Sequence, residues 1–322
     1  MQIEQPPNVL ALPDGVMRPS MLVDLSERGA LYREAARGRL ERLAPDVYVE
    51  RAALAVLAPE ARHRRHVEAV WSRARADEVL SHRSAAAWWG LPLYGGLPNR
   101  PETVMRSSDR RSTSRTFLRH STTRDVEPTM LRGVPVTPLA RTVIDVAAVS
   151  PFVSGVVVAD AALRLNLLAE SSGAPRPLDL DELEFELVRL GSGRGAARAR
   201  RVTAFADGRA QLPGESVSRC TMLAIGCPIP DLQYELRGSR GQVYHLDFHW
   251  ADQRIGAEFD GRVKYDDPRY LRGRSPVDVV IEEKEREDEI RPQLAGFGRW
   301  GFEVARQPRE LANKLHRIGL RW

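Results

Sequence analysis

Apolar Tyr244, Leu246, Phe248 and Trp250 alternate with His245, Asp247 and His249, and Ile255, Ala257 and Phe259 alternate with Gly256, Glu258 and Asp260. A period of two predicts two half-buried strands. With Ala251 to Arg254 as the loop, Trp250 pairs with Ile255, Phe248 with Ala257, Leu246 with Phe259, and Asp247 with Glu258. Residues directly opposite in an antiparallel pair hold their Cβ atoms roughly 4.5–5.5 Å apart, and like charges there are destabilising. Two carboxylates so placed call for a cation. The same register sets Asp260 opposite His245. Around this hairpin the pattern predicts helices at 213–225, 276–291 and 308–318 and strands at 232–237 and 300–306, an α/β sandwich with a mixed sheet.

Nearer the N-terminus, Ser20 stands as N-cap of a helix at 21–28, Gly29 reads as a turn, and Ala30 opens a second helix carrying Arg33, Arg37 and Arg39 before a strand at 46–50. Helix, glycine turn, basic helix and β-wing is the order of a winged helix-turn-helix, with a plain helical hairpin as the alternative. A helix at 60–76 places His63 and His66 at i, i+3; without a third ligand nearby they read as solvated. Further on, Ser81 reads as the N-cap of a helix that buries Trp88 and Trp89. Ser81, His82 and Ser84 lack the G-x-S-x-G turn and the acidic partner that a serine nucleophile uses. Thr137 and Pro138 open another helix, with Arg141 four residues before Asp145. Residues 170–179 have linker composition, and 179–207 read as helices interrupted at 191–195. The chain thus reads as α/β and multi-domain: a winged helix-turn-helix at 1–76, a middle α+β domain at 77–169, a linker and helical connector at 170–210, and a final domain at 211–322.

Composition adds bounds. Among the 322 residues, 43% are hydrophobic and 28% charged, ordinary for a folded soluble protein. No apolar run approaches the roughly 20 residues of a membrane span, and the N-terminus lacks a signal-peptide pattern, so a cytoplasmic protein without a membrane partner is expected. Cys220 and Cys227 are too few for a disulfide framework or a four-thiolate zinc site. The net charge of +5 is a weak pointer to nucleic acid, and arginine runs at 106–124 and 189–201 fit either phosphate contacts or a solvated face. Lysine occurs only at Lys264, Lys284 and Lys314, two of them close to the carboxylate hairpin, where a compact ammonium differs in use from a guanidinium.

A helix with an early Glu215, a strand bearing Asp247, then AEFDGRVKY, the charged EEKEREDEIR and WGFEVAR follow an order that resembles the PD-(D/E)XK nuclease superfamily, closest to its very-short-patch-repair-like branch, over roughly the last third of the chain. Upstream, RGRLERLAPDVYV, LSHRSAAAWWGLP and GVPVTPLARTVIDVA resemble the AbiEi-like antitoxin architecture, and the combination is similar to actinobacterial DNA-acting proteins. The resemblance implies a C-terminal restriction-endonuclease-like αβββαβ domain that hydrolyses DNA with Mg²⁺ (or Mn²⁺). Asp247 and Glu258 would be the metal ligands, Glu215 an outer carboxylate, and Arg33, Arg37 and Arg39 the DNA contacts. The superfamily's lysine normally stands two residues after the second carboxylate, where this chain has Asp260. Asp260 therefore becomes a candidate ligand, and the missing cation would come from Lys284 or, second, Lys264. DNA is the implied partner, with room for a cognate toxin and a homodimer. The displaced lysine also supports a second expectation, a repressor or antitoxin whose nuclease-like domain only binds.

Overall fold

The computed structural model describes residues 15–106, 114–164, 178–261 and 284–322. The chain forms two compact units, Met1–Val149 and Ser150–Trp322. The first therefore takes in both the 1–76 and the middle segments, because Phe117 is buried in one cluster with Val16, Val47, Val49, Leu54 and Val70 and meets Trp71 edge-on.

In this unit β1 (Val16–Met17), α1 (Leu25–Ala36), β2 (Leu40–Ala44) and β3 (Val47–Glu50) build a small antiparallel sheet of order β1-β3-β2 with one long helix beside it. The expected helix-turn-helix is absent over 20–39. Helix α1 runs straight through Gly29, and Asp24, not Ser20, caps it by accepting from Ser26 N at 2.7 Å. Ser20 instead donates its backbone N–H and its hydroxyl to Asp46. One glycine costs a helix about 1 kcal/mol, less than burying the fully enclosed Leu31 returns. The chain continues through α2 (Arg51–Ala55), α3 (Pro59–Trp71), β4 (Val79–Leu80), α4 (His82–Trp89), β5 (Glu102–Arg106), β6 (Leu118–Thr122), β7 (Thr129–Leu131), β8 (Val134–Val136) and α5 (Leu139–Val149). The five strands β4 to β8 form a mixed sheet of order β6-β5-β4-β8-β7.

Two further expectations change here. Ser81 makes no side-chain cap; its hydroxyl meets His82 Nδ1 at 2.9 Å, and Glu102 takes the Arg83 N–H at 2.8 Å at the start of α4. His63 and His66 are buried rather than solvated, because α3 turns that face toward α4: His63 Nε2 lies 2.8 Å from Ser84 Oγ. The Arg141–Asp145 pair forms at 2.7 Å as the spacing implies.

The second unit begins with α6 (Phe152–Leu163), α7 (Leu180–Leu190) and α8 (Ala196–Phe205). Helix α6 thus belongs to the C-terminal unit, not to a middle domain ending at 169, since Asp160 on it pairs with Arg219 at 2.8 Å with both side chains buried. There follow α9 (Pro213–Ala224), β9 (Asp231–Arg237), β10 (Val243–Trp250), β11 (Ile255–Phe259), a helix at 284–290 (α10), β12 (Gly296–Trp300), α11 (Phe302–Ala305) and α12 (Pro308–Arg317). The sheet order is β12-β11-β10-β9, parallel between β11 and β12 and antiparallel elsewhere. Helix α9 is buried along most of its length. Trp300 Nε1 donates to Ser218 Oγ at 2.9 Å, Trp300 stacks on Phe248, and Gly214 lies so close to the Phe259 ring that a Cβ there would collide with it. The last strand falls earlier than expected. All five β11 residues are already paired by Gly296–Trp300, so beyond Trp300 the chain has no neighbour to extend and Ala305 N returns to the Gly301 carbonyl in a helical turn. Of the expected helix at 276–291, residues 276–283 lie outside the described ones, as do Arg110 and Arg111 of the first arginine run.

Candidate active site

The hairpin register follows the alternation: Trp250 pairs with Ile255, His249 with Gly256 and Phe248 with Ala257, around a turn that ends with Arg254 in the left-handed region. At the next position the ladder gives way to a side chain, and Asp247 Oδ2 accepts the backbone N–H of Phe259 at 2.7 Å. On the other flank Leu246 pairs with Tyr234 and Phe248 with Leu232, which leaves Gln233 beside Asp247, its backbone at φ 52°. A non-glycine strand residue in that region is strained, and the surrounding contacts hold it there. Its amide donates to Asp247 Oδ1 at 3.1 Å and to Glu215 Oε2 at 3.4 Å, while its own oxygen accepts from Gln211 Nε2 at 2.8 Å.

Glu215 stands in the first turn of α9, 1% exposed. Backbone N–H groups of Gln211 and Leu212 donate to its two oxygens at 2.8 and 3.1 Å, as happens where a helix start leaves donors without helical partners. Burial, followed by the charge of Asp247, pushes its carboxyl up to about 8; the two N–H groups and the Arg164 guanidinium oppose the shift. Arg164, the C-cap of α6, lies within electrostatic reach of both carboxylates, and burial lowers its pKa against their pull. Two carboxylates bridged by one amide in a dry setting favour a shared proton or a cation.

Glu258 is occupied differently. Arg286 of α10 reaches Oε1 at 2.6 Å and Arg299, its partner in the β11–β12 register, reaches Oε2 at 2.9 Å; Arg286 also donates to the His245 carbonyl at 2.7 Å. The helix expected to deliver a cation through Lys284 thus delivers one two residues later, and Lys284 itself is exposed. Asp260 lies past the end of β11, exposed, with its N–H on the Trp300 carbonyl; His245 pairs with Glu235 on β9 rather than with Asp260. Lys264 lies outside the described residues. Among the described residues no three His, Cys, Asp or Glu side chains gather as a metal cage. Mg²⁺ needs fewer, because it keeps several waters and is held through one or two carboxylates plus substrate phosphate. Gln233, Gln211, Arg164, Arg286 and Arg299 were not among the expected site residues; extending the hairpin register one strand into β9 would have found Gln233.

In the N-terminal unit Arg33, Arg37 and Arg39 are exposed at the end of α1 and just after it, and Arg37 and Arg39 both pair with Glu34 at 2.9 Å. No helix among the described residues is long and apolar enough to cross a membrane.

No family model matches the chain. It is similar to two uncharacterized proteins of Mycobacterium tuberculosis, MT2308 of strain CDC 1551 and Rv2248 of strain H37Rv, each 36% identical over 115 residues, or 35% of this chain. The match spans 42% of the length of each of these relatives. A crystal structure of the M. tuberculosis protein Rv2827c aligns over 69% of this chain and 83% of its own at 15% identity with a TM-score of 0.33.

Proposed function

We propose that the chain is a Mg²⁺-dependent endonuclease acting on DNA, with Glu215 and Asp247 as the carboxylates that hold the ion and the arginines of α1 as a DNA contact. The observation that carries this reading is the Glu215–Asp247 pair, two carboxylates held to a single amide donor with burial working against their joint ionisation. Their oxygens are hard donors with lone pairs to spare, which fits Mg²⁺ or Mn²⁺. The ion supplies polarisation of the scissile phosphate and a lowered pKa for the attacking water. Gln233 fixes the two carboxylates relative to each other, and Arg164 adds a fixed positive charge where the phosphoryl oxygens gain negative charge. Glu215, its carboxyl poised near neutral pH, takes the proton released by the water.

Incubation with supercoiled plasmid and Mg²⁺ or Mn²⁺ tests this. Nicking or cutting is expected from the wild type and not from Asp247→Asn or Glu215→Gln; equal cutting by both variants would overturn the assignment. A second reading rests on Glu258, whose two oxygens are taken by Arg286 and Arg299. In it the C-terminal unit only binds, and the chain is a repressor or antitoxin. Salt-sensitive DNA binding lost in Arg33→Ala plus Arg37→Ala, with no cleavage under either metal, selects it.

A further inference from the structure

The His63–His66 pair on α3 is not used by the function above, and the two rings differ in one respect. His63 Nε2 is engaged at 2.8 Å by Ser84 Oγ. His66, 9% exposed, has its ring held by the Leu43 backbone carbonyl, and its Nε2 has no hydrogen-bond partner. With the ring proton directed at Leu43, Nε2 carries a lone pair and can only accept. Burial lowers the pKa of this imidazole and keeps it neutral at pH 7.

His66 lines a cleft of about 360 Å³ between β2, α3 and the segment at 97–99, within the size range of small-ligand sites. Two guanidiniums stand around it. Arg62 gives one terminal nitrogen to the Glu41 carboxylate, at 2.6 and 2.8 Å, and Arg42 gives its Nε to the Ala44 carbonyl at 3.3 Å, so each retains further donors. Pro59, Leu97 and Pro98 supply flat apolar surface on the remaining walls. An occupant that satisfies all three features has an N–H donor for His66, an anionic group for the arginines and a planar apolar body between them.

We propose that this cleft binds a nucleoside monophosphate, the base amino or imino group donating to His66 Nε2 and the phosphate meeting Arg42 and Arg62. The site lies within the N-terminal unit and shares no residue with the carboxylate site, so it stands or falls independently of nuclease activity.

Isothermal titration of the full chain with AMP, GMP, CMP and UMP reads this out. At least one is expected to bind saturably, with the matching nucleoside and inorganic phosphate at least tenfold weaker. Both His66→Leu and Arg42→Ala weaken that affinity tenfold or more; Arg42 is exposed, so its variant keeps the fold. Asp247→Asn leaves it unchanged. Absence of saturable binding, affinity unmoved by either substitution, or phosphate binding as tightly as the nucleotide overturns the proposal. So does loss of binding in Asp247→Asn, which would put the nucleotide at the carboxylate site instead.

Discussion

Glu215 and Asp247 share one donor, the Gln233 amide, at 3.4 and 3.1 Å. The residues come from a helix start and a strand, and the amide comes from a neighbouring strand whose backbone is strained at that point. The pair is the part of the molecule where charge, burial and geometry oppose one another most directly.

Its pH dependence follows. Burial and Asp247 raise the Glu215 carboxyl from 4.5 to about 8 in the folded protein. Between those values the folded state keeps a proton that the unfolded chain has released, so stability from this group is complete below the lower value and falls as pH rises toward the upper one. Glu215→Gln has no such dependence. Melting curves at about pH 5 and about pH 8 are expected to show the difference, variant minus wild type, shifting in favour of the variant at the higher pH. An identical difference at both pH values contradicts the assignment.

Mg²⁺ should relieve the same repulsion. Millimolar Mg²⁺ at about pH 8 is expected to raise the melting temperature of the wild type and to have little effect on Asp247→Asn, since a ligand of the folded state alone stabilises it by mass action. An equal rise in both proteins removes Asp247 from the metal site.

Glu258 is a structural ion-pair centre whichever function holds. Removing it leaves Arg286 and Arg299 facing each other without a counter-charge. Glu258→Ala is expected to cost about 2 kcal/mol in urea unfolding, below the about 3–5 kcal/mol of a fully buried pair because both arginines reach solvent. A change under about 0.5 kcal/mol would mean the pairs contribute nothing measurable.

Gly214 sets the closeness of α9 to the sheet. Gly214→Ala drives a methyl group into the Phe259 ring, whose backbone N–H holds Asp247. Overpacking of this kind costs about 1–3 kcal/mol, and the displacement loosens the carboxylate next to it. Reduced stability together with reduced metal response is expected; loss of stability alone would uncouple Phe259 from the site.

On α1, Glu34 neutralises Arg37 and Arg39. Glu34→Ala should tighten DNA binding measured by fluorescence anisotropy, while Arg33→Ala plus Arg37→Ala should weaken it and flatten its salt slope by about 1 for each phosphate left without its arginine. Unchanged slopes in both variants would take α1 out of the DNA interface.

Local pattern alone determined the hairpin from Tyr244 to Phe259, its register near the turn, the helices that begin at Pro213 and Pro308, and the nearness of two carboxylates to the sheet. These features rest on alternation, proline at a helix start and turn residues, all read within a few positions. Tertiary structure decided the rest. Helix α1 passes through Gly29 because Leu31 has a core to enter, His63 and His66 are buried because α4 covers them, and β12 stops at Trp300 because β11 has no further residue to pair. The same holds at the site. Which carboxylate stays strained and which is neutralised depends on Gln233, Arg164, Arg286 and Arg299, partners distant in the chain, and desolvation and hydrogen bonding act through space, where sequence separation carries no information.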